Sequence, residues 1–429
     1  MSKKRIIFIG LDGVPFGLLK DLAQKGVMPN TKKVIEQGCF RKMFSSVPEI
    51  SSVAWSSIIT GKNPAEHGIF GFTDLIPNSY SMRFPNFSNL KAEPFWNLIE
   101  GPSVILNVPS TYPVKPMNGV HISGFVSIDF KRSVYPLELI PVLQEKDYRL
   151  DVNSEYAHKS FDLFLSDLNK TLEARMDAAM YLWNKYAWQV FMLVFTGTDR
   201  LMHFLWNAYE DEKHTYHDSF IGHFRKVDEA IGEISQKMRD EDTLIMLSDH
   251  GFERLDKDVY INHILKENGF LSFQDNTAHL KNISGDTKAF ALDPARIYIN
   301  QKEKYPRGRV SVNDREKIIT DLIDLFQSLT LDNKKLIRKI FRKEDVYHGQ
   351  FLDVAPDLIL LGEEGFNLKG NIKAQRVADR SIFSGKHTLD TAFLAVSGSF
   401  EKGVVPEAPC VYDIWGLIRE GLEDKKAKK

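Results

Sequence analysis

The sequence predicts an α/β fold: a central, mostly parallel sheet flanked by helices, with additional cap or insertion segments. Three observations carry that expectation. Short apolar runs recur along the chain, each ends in glycine or a polar residue, and helical patterns fill the gaps between them. Apolarity that is continuous rather than alternating marks strands buried on both faces, as in a parallel sheet. Alternation of such strands with helices is the pattern that builds one.

The elements follow in order. "RIIFIGLDG" (5–13) is the first strand run. "FGLLKDLAQKGVMPNTKKVIEQG" is helical but breaks at Gly26 and Pro29, so it reads as two helices. "SVPEISSVAWSSIITGKNPAEHGIFGF" (46–72) has a proline-bounded turn and then an amphipathic helix stopping at Gly61, with Ser51 and Ser52 at its mouth. Serine is a favoured N-cap; a hydroxyl at a helix N-terminus also sits where anions bind. The local stretch leaves both readings open. "SVILNVP" (103–109), "WQVFMLVFTGTD" (188–199), "TLIMLSDHG" (243–251) and "PDLILLGE" (356–363) are the remaining clear strand runs, and the helical "FRKVDEAIGEISQKMRD" (224–240) leads directly into the 243–251 run. Residues 127–187, aromatic-rich and largely helical, fit the rhythm less well. So do residues 255–350, which mix short strands such as "ARIYINQ" with the charged helix "DREKIITDLIDLFQSL". Both are expected as caps or insertions at the sheet edge. No repeat or low-complexity tract is visible.

A chain of 429 residues exceeds one compact core, so two domains or one large domain with an insertion is expected. Hydrophobic content of 43% and charged content of 26% are those of an ordinary globular protein. With 56 Lys+Arg against 57 Asp+Glu, nothing in the overall charge argues for a nucleic-acid polymer or an anionic membrane as partner. The one charge run, the terminal "EDKKAKK", reads as a solvated tail. Cys39 and Cys410 make no metal or redox spacing and are expected to be buried free thiols. The apolar part of "MSKKRIIFIGLDG" is too short for a signal peptide or a membrane span, so a cytoplasmic location is expected.

In an open parallel sheet, ligands gather at the carboxyl ends of the strands. Asp12 ends the first strand run; Asp199 ends the 188–199 run, with His203 four residues on and on the same face if a helix starts there; Asp249 and His250 end the 243–251 run; His387 precedes another strand-like run. Each element alone is a common turn or cap residue. Together, three Asp and three His at converging strand ends make a site for two divalent cations with N/O donors and no thiolate.

At these residues the sequence resembles the alkaline phosphatase superfamily, and within it the type I phosphodiesterase/nucleotide pyrophosphatase branch. It is most similar there to a prokaryotic group of predicted phosphohydrolases or phosphomutases. The matching stretches are "IIFIGLDGV", "MPNTKKVIEQG", the TG-x-x-P-x-x-HG pattern from Thr60 to Gly68, "TGTDRLMHFLW", "SDHGF", "APDLILL" and "SGKHTLDTAFLAVSG". The resemblance implies an alkaline-phosphatase-like sandwich: core in 1–126, 188–254 and 351–429, a helical cap at 127–187 and an insertion at 255–350. It implies that Asp199, His203 and His387 hold one metal, and that Asp12, Asp249, His250 and the nucleophile hold the other. Aligning back from the ungapped TG and HG puts the nucleophile at Ser51, with Ser52 the second choice. A bound dication would activate the hydroxyl, and attack on phosphorus would give a phosphoseryl intermediate.

The pattern departs from the family at two places. The family Asn that helps hold a phosphate oxygen falls at Phe72, followed by Thr73 and Asp74, and a usual glycine after the last His is Thr391. Candidate phosphate contacts are Arg200, Lys62 and Lys386; Arg200 fits phosphate as a fork and fits equally a structural ion pair. Lys62, just past Gly61, also reads as a solvated helix-end charge. Asn107 and Thr111 are candidates to line the pocket and also fit a plain turn. His67 reads as structural and His214, His217 and His223 as exposed; His348 reaches the cleft only on the weaker of its readings.

The leading expectation is a metal-dependent phosphohydrolase, phosphodiesterase or nucleotide pyrophosphatase in type, acting on a small phosphorylated substrate through two cations, Zn2+ first and Mn2+ second. The alternatives are a phosphomonoesterase, a phosphomutase whose cap excludes water, or an inactive metal-binding relative. A sulfatase is disfavoured, because "SSVAW" lacks the Pro and Arg of the C/S-x-P-x-R signature.

Overall fold

The computed structural model describes residues 4–275 and 277–423; most of the terminal charge run lies outside them. The chain divides into two compact units. The first comprises Met1–Lys62, Asn86–Phe252 and His387–Lys429, the second Asn63–Pro85 and Glu253–Lys386.

The first unit is built on an eight-stranded sheet. Its strands are β1 (Ile6–Leu11), β2 (Cys39–Met43), β3 (Ser103–Val108), β4 (Gly119–Ser123), β5 (Val134–Tyr135), β6 (Val190–Phe195), β7 (Thr243–Leu247) and β8 (Ala392–Gly398). Their spatial order is β2-β8-β7-β1-β6-β3-β4-β5. The pairs β7–β1, β1–β6, β6–β3 and β3–β4 are parallel, and antiparallel pairs lie at both margins. Every residue of β1, β3, β6 and β7 is buried, as continuous apolar runs require when helices cover both faces.

The helices of this unit include α1 (Phe16–Gln24), α2 (Pro29–Gln37), α3 (Ser51–Thr60), α4 (Phe161–Lys185), α5 (Gly197–Glu210), α6 (His217–Gln236) and α7 (Ile414–Leu422). Pro29 at N1 of α2 opens a helix it cannot continue from behind, which explains the break after α1. Helix α4, from the segment expected as a cap, packs against β3, β6, α5 and α6. Trp55 on α3 lies in the core between the helices and the sheet, and a Cβ on Gly10 would stand 2.4 Å from its ring. Only glycine lets β1 and α3 approach this closely.

The second unit holds the expected insertion, 255–350, together with 63–85 and 351–386. One of its sheets is antiparallel: Ala289–Leu292, Arg296–Ile299, Leu358–Gly362 and Ile337–Arg342 pair in that order. Helix Arg315–Ser328 buries Ile318, Ile319, Leu322 and Phe326 in this unit's core. The run "PDLILLGE", expected in the parallel sheet, is therefore a central strand of the antiparallel one. An apolar run reports burial on both faces and carries no information on strand direction. No helix among the described residues is long and apolar enough to cross a membrane. Both cysteines are free thiols; Cys39 is buried, but Cys410 is only partly so.

Candidate metal centre

Register places the site. Leu11 of β1 pairs with Phe195 of β6, and Gly10 with Leu247 of β7, so the three parallel strands end level. Asp12 follows β1 directly. Asp199 lies in the first turn of α5, after β6, and Asp249 and His250 follow β7. Strand Gly385–Thr388 carries His387. With α5 helical from Gly197, Asp199 and His203 fall on one face, 3.4 Å between Oδ1 and Nε2.

The seven side chains converge. His387 Nε2 lies 3.1 Å from Asp199 Oδ1 and 3.0 Å from His203 Nε2. His250 Nε2 is 3.7 Å from Asp12 Oδ1 and 3.3 Å from Asp249 Oδ2. Ser51 Oγ stands 3.1 Å from His250 Nε2 and 3.4 Å from Asp12 Oδ1. Two groups present ligand atoms all within 4.8 Å of one another: Asp199, His203 and His387, and Asp12, Asp199 and His250. Asp199 is common to both, whereas the expected partition gave the second group Asp249 instead. Asp249 remains alongside: Oδ1 accepts from the Gly13 amide at 3.1 Å, and Oδ2 is buried without a hydrogen-bond partner. Gly13 takes φ +74°, the left-handed turn that aims this amide.

The histidine tautomers follow from their other contacts. His250 Nδ1 is 3.1 Å from the Gly251 carbonyl and His387 Nδ1 is 3.0 Å from the Glu49 carbonyl. A carbonyl only accepts, so each Nδ1 carries the hydrogen and each Nε2 turns a lone pair into the site. Trp55 Nε1 donates to Asp12 Oδ2 at 3.1 Å, and Thr198 Oγ1 donates to the Asp12 carbonyl at 2.7 Å. These supports fix donor atoms in place before any ligand arrives.

The electrostatics are those of a site short of positive charge. Burial, with Asp249 and Asp199 nearby, holds the Asp12 carboxyl well above the usual carboxylate range. Burial pushes Asp249 up to about 7. Burial opposes ionisation of Asp199 too, but His203 and His387 in their protonated forms, with Arg200, outweigh it and hold that carboxyl below its ordinary range. Burial, with His387 beside it, drives His250 well below the usual imidazole value. Three buried carboxylates, one of them with an oxygen that has no hydrogen-bond partner, and the Nε2 atoms of three imidazoles form a donor set that suits divalent cations.

Ser51 is the first residue of α3; the N-cap is Ile50, without a side-chain cap, so the serine does not cap the helix. Ser52 Oγ is buried and unpartnered, apart from these contacts. Of the remaining candidates, Arg200 donates to Asp199 Oδ2 at 2.7 Å and to Asp151. Lys62 is exposed beyond the far end of α3, about 15 Å of helix from Ser51. Asn107 is fully buried with its amide spent: Nδ2 donates to the Leu150 carbonyl at 2.7 Å and Oδ1 accepts from Tyr148. Thr111 closes a turn onto the Val108 carbonyl at 2.7 Å. His223, expected at the surface, is buried in α6, with its pKa pushed down to about 3 by burial; His214 and His217 are partly buried.

Other candidates fall in the second unit. Lys386 is buried and paired with Glu253 at 2.8 Å. His348 is exposed, 3.5 Å from Glu66, and His67 is buried, with its pKa pushed down to about 3 by desolvation. Beside Phe72, the Thr73 carbonyl and Asp74 both accept from buried Arg296. Thr391, in the first unit, bonds Thr388 through its hydroxyl. Sequence reading missed Trp55 and Asp151 as supports. Trp55 stands four residues after Ser51, one turn along α3, which is a usable signal; Asp151 has no local one.

The family model for type I phosphodiesterase/nucleotide pyrophosphatase matches residues 6–390. Among solved structures, phosphonoacetate hydrolase from Sinorhizobium meliloti 1021 in complex with phosphonoformate is similar, with a TM-score of 0.67, 14% identity, and 98% of this chain and 96% of that one covered. Murine ectonucleotide pyrophosphatase/phosphodiesterase 5 in complex with AMP is similar with a TM-score of 0.56, 14% identity, and coverage of 98% and 95%. The human ectonucleotide pyrophosphatase/phosphodiesterase 5 gives 0.56, 14%, 97% and 94%. At such identities the likeness is one of fold. No curated protein matches.

Proposed function

Because the chain belongs to the type I phosphodiesterase/nucleotide pyrophosphatase family, within the alkaline phosphatase superfamily, we propose that it is a metal-dependent phosphodiesterase acting through Ser51. The observation that carries this reading is the position of the Ser51 hydroxyl. It opens α3 within 3.1 Å of His250 Nε2 and 3.4 Å of Asp12, in the same buried cluster as two ligand groups sharing Asp199.

Asp199, His203 and His387 would hold one divalent cation, and Asp12, Asp199 and His250, with Asp249 alongside, a second; Zn2+ fits these donors best and Mn2+ next. When bound, the cations would favour the serine alkoxide and neutralise charge on the phosphoryl group. The protein's own part is positional. The open first turn of α3 offers backbone N–H groups that suit phosphoryl oxygens. Ser51 Oγ forms a bond to phosphorus as the ester oxygen leaves, and the departing alcohol carries away the proton the hydroxyl gave up. Water then cleaves the phosphoseryl bond, releasing the phosphoryl product and restoring the hydroxyl.

The test is turnover of bis-p-nitrophenyl phosphate and p-nitrophenyl phosphate by metal-reconstituted protein, beside Ser51→Ala. The diester is expected to be preferred, and Ser51→Ala to lower kcat by about 1,000-fold or more. Monoester preference would move the reading to a phosphatase. Wild-type rates in Ser51→Ala would remove Ser51 as nucleophile.

A further inference from the structure

Arg200 makes contacts that lead out of the cluster to a residue no motif marks. Its Nη1 donates to Asp199 Oδ2 at 2.7 Å, while Nε and Nη2 donate to Asp151 Oδ2 at 3.3 and 3.0 Å. The Phe125 ring lies 4.2 Å from the guanidinium carbon. Asp151 is itself held: its Oδ1 accepts from Thr196 Oγ1 at 3.0 Å. Thr196 Oγ1 in turn accepts from Arg175 Nη1 at 3.3 Å, and Arg175 Nη2 donates to the Leu150 carbonyl at 3.2 Å. Arg175 is 1% exposed, so the loop bearing Asp151 is pinned from inside the protein.

We infer that Asp151 is a positioning residue for the divalent-ion site: it holds Arg200 on Asp199 Oδ2, and thereby turns Oδ1 toward His203 and His387. The inference rests on reading the cluster as a metal centre. The terminal torsion of an Asp side chain is broad, and a carboxylate shared by two ligand groups tolerates little rotation. With Oδ2 clamped at 2.7 Å, Oδ1 stays 3.1 Å from His387 Nε2 and 3.4 Å from His203 Nε2. Charge favours the same arrangement. A lone guanidinium against a ligand carboxylate would repel an arriving dication, and Asp151 at 3.0 Å offsets it. Arg200 then contributes geometry at little cost in field. Three of its donors are spent on carboxylates, which sets this role against that of a phosphate contact.

Zn2+ alone is titrated into metal-free protein in competition with a chromophoric chelator, for wild type, Asp151→Asn, Arg200→Gln and the double variant. Asp151→Asn is expected to weaken one ion affinity by about 10- to 100-fold, and to add nothing further in the Arg200→Gln background. At saturating Zn2+, kcat is expected to return toward the wild-type value with KM unchanged. A structural role alone would lower the melting midpoint of the metal-free protein, leave the ion affinity unmoved, and add to the Arg200→Gln effect; that result overturns the inference. So does an unmoved ion affinity in Arg200→Gln with a raised KM, the signature of a phosphate contact. If Asp151→Asn does not fold, Thr196→Val removes the hydroxyl on Oδ1 and is expected to weaken the same ion; no change there also overturns it. Ion affinity is read without turnover, so a protein that binds Zn2+ as expected yet hydrolyses neither ester sinks the hydrolase reading alone.

Discussion

His121 is expected to make the protein acid-sensitive by a calculable amount. It lies in β4, fully buried, edge-on to Phe87 at 5.6 Å and Trp96 at 5.3 Å, and neither ring nitrogen has a hydrogen-bond partner. Burial pushes its pKa down to about 3, against 6.5 in an unfolded chain. Between those values the unfolded state binds the proton and the folded state does not, so stability falls as pH drops from 6.5 toward 3. At pH 7.5 the effect is close to zero. At pH 5 it reaches RT ln(1 + 10^1.5), about 2 kcal/mol, a large fraction of a typical folding free energy. His121→Phe keeps a ring between Phe87 and Trp96 and removes the titration. Urea unfolding followed by tryptophan fluorescence, with chelator present throughout, is to be measured for both proteins at pH 7.5 and pH 5. The wild type is expected to lose about 2 kcal/mol more than His121→Phe over that interval. Losses that agree within about 0.5 kcal/mol would mean that His121 takes up no extra proton on unfolding, since every other titrating group cancels in the difference.

Three further outcomes follow from the same geometry. Trp55→Phe keeps most of the packing but removes the donor to Asp12 Oδ2; Zn2+ affinity is expected to fall about 10- to 100-fold, with the circular dichroism spectrum unchanged. Gly10→Ala puts a methyl group 2.4 Å from the Trp55 ring and is expected to destabilise by about 1–3 kcal/mol, read as a lower melting midpoint; an unchanged midpoint would mean that α3 can withdraw freely. Chelation is expected to abolish turnover and lower the melting midpoint, both restored by Zn2+, because the cluster otherwise buries three carboxylates against the one guanidinium of Arg200. A chelator-treated protein with its midpoint unmoved would count against a metal in these groups.

Much of the sheet was legible in the sequence because β1, β3, β6 and β7 are buried on both faces and carry unbroken apolar runs that end where the strands end. The positions of Asp12, Asp199, Asp249 and His250 followed from those ends, since in a parallel sheet the carboxyl termini share one edge. What escaped depended on contacts between distant residues. The run at 356–363 gave burial but not direction. His223 sits in a stretch with polar neighbours, yet its own helix position faces inward, beside Asn169 at 3.1 Å. Asn107 and Asp151 do their holding across 43 and 49 residues of chain, to Leu150 and Arg200. No local pattern encodes such spans.

The same register explains why Asp199 occupies the pivotal place. β6 lies directly beside β1, Leu11 opposite Phe195, so the residue opening the helix after β6 emerges next to Asp12. α5 begins at Gly197, which puts Asp199 in its first turn and His203 one turn further on the same face. One carboxylate therefore meets His387 and His203 with Oδ1, Arg200 with Oδ2, and belongs to both ligand groups. Burial alone would raise its pKa, as it does for Asp12 and Asp249; the protonated forms of His203 and His387, with Arg200, reverse that. Arg200 on Oδ2 is the counter-charge of Asp199 that does not depend on either imidazole being protonated. With Oδ2 on Arg200 and Oδ1 between His203 and His387, the orientation of this one carboxylate sets a donor atom for both groups at once.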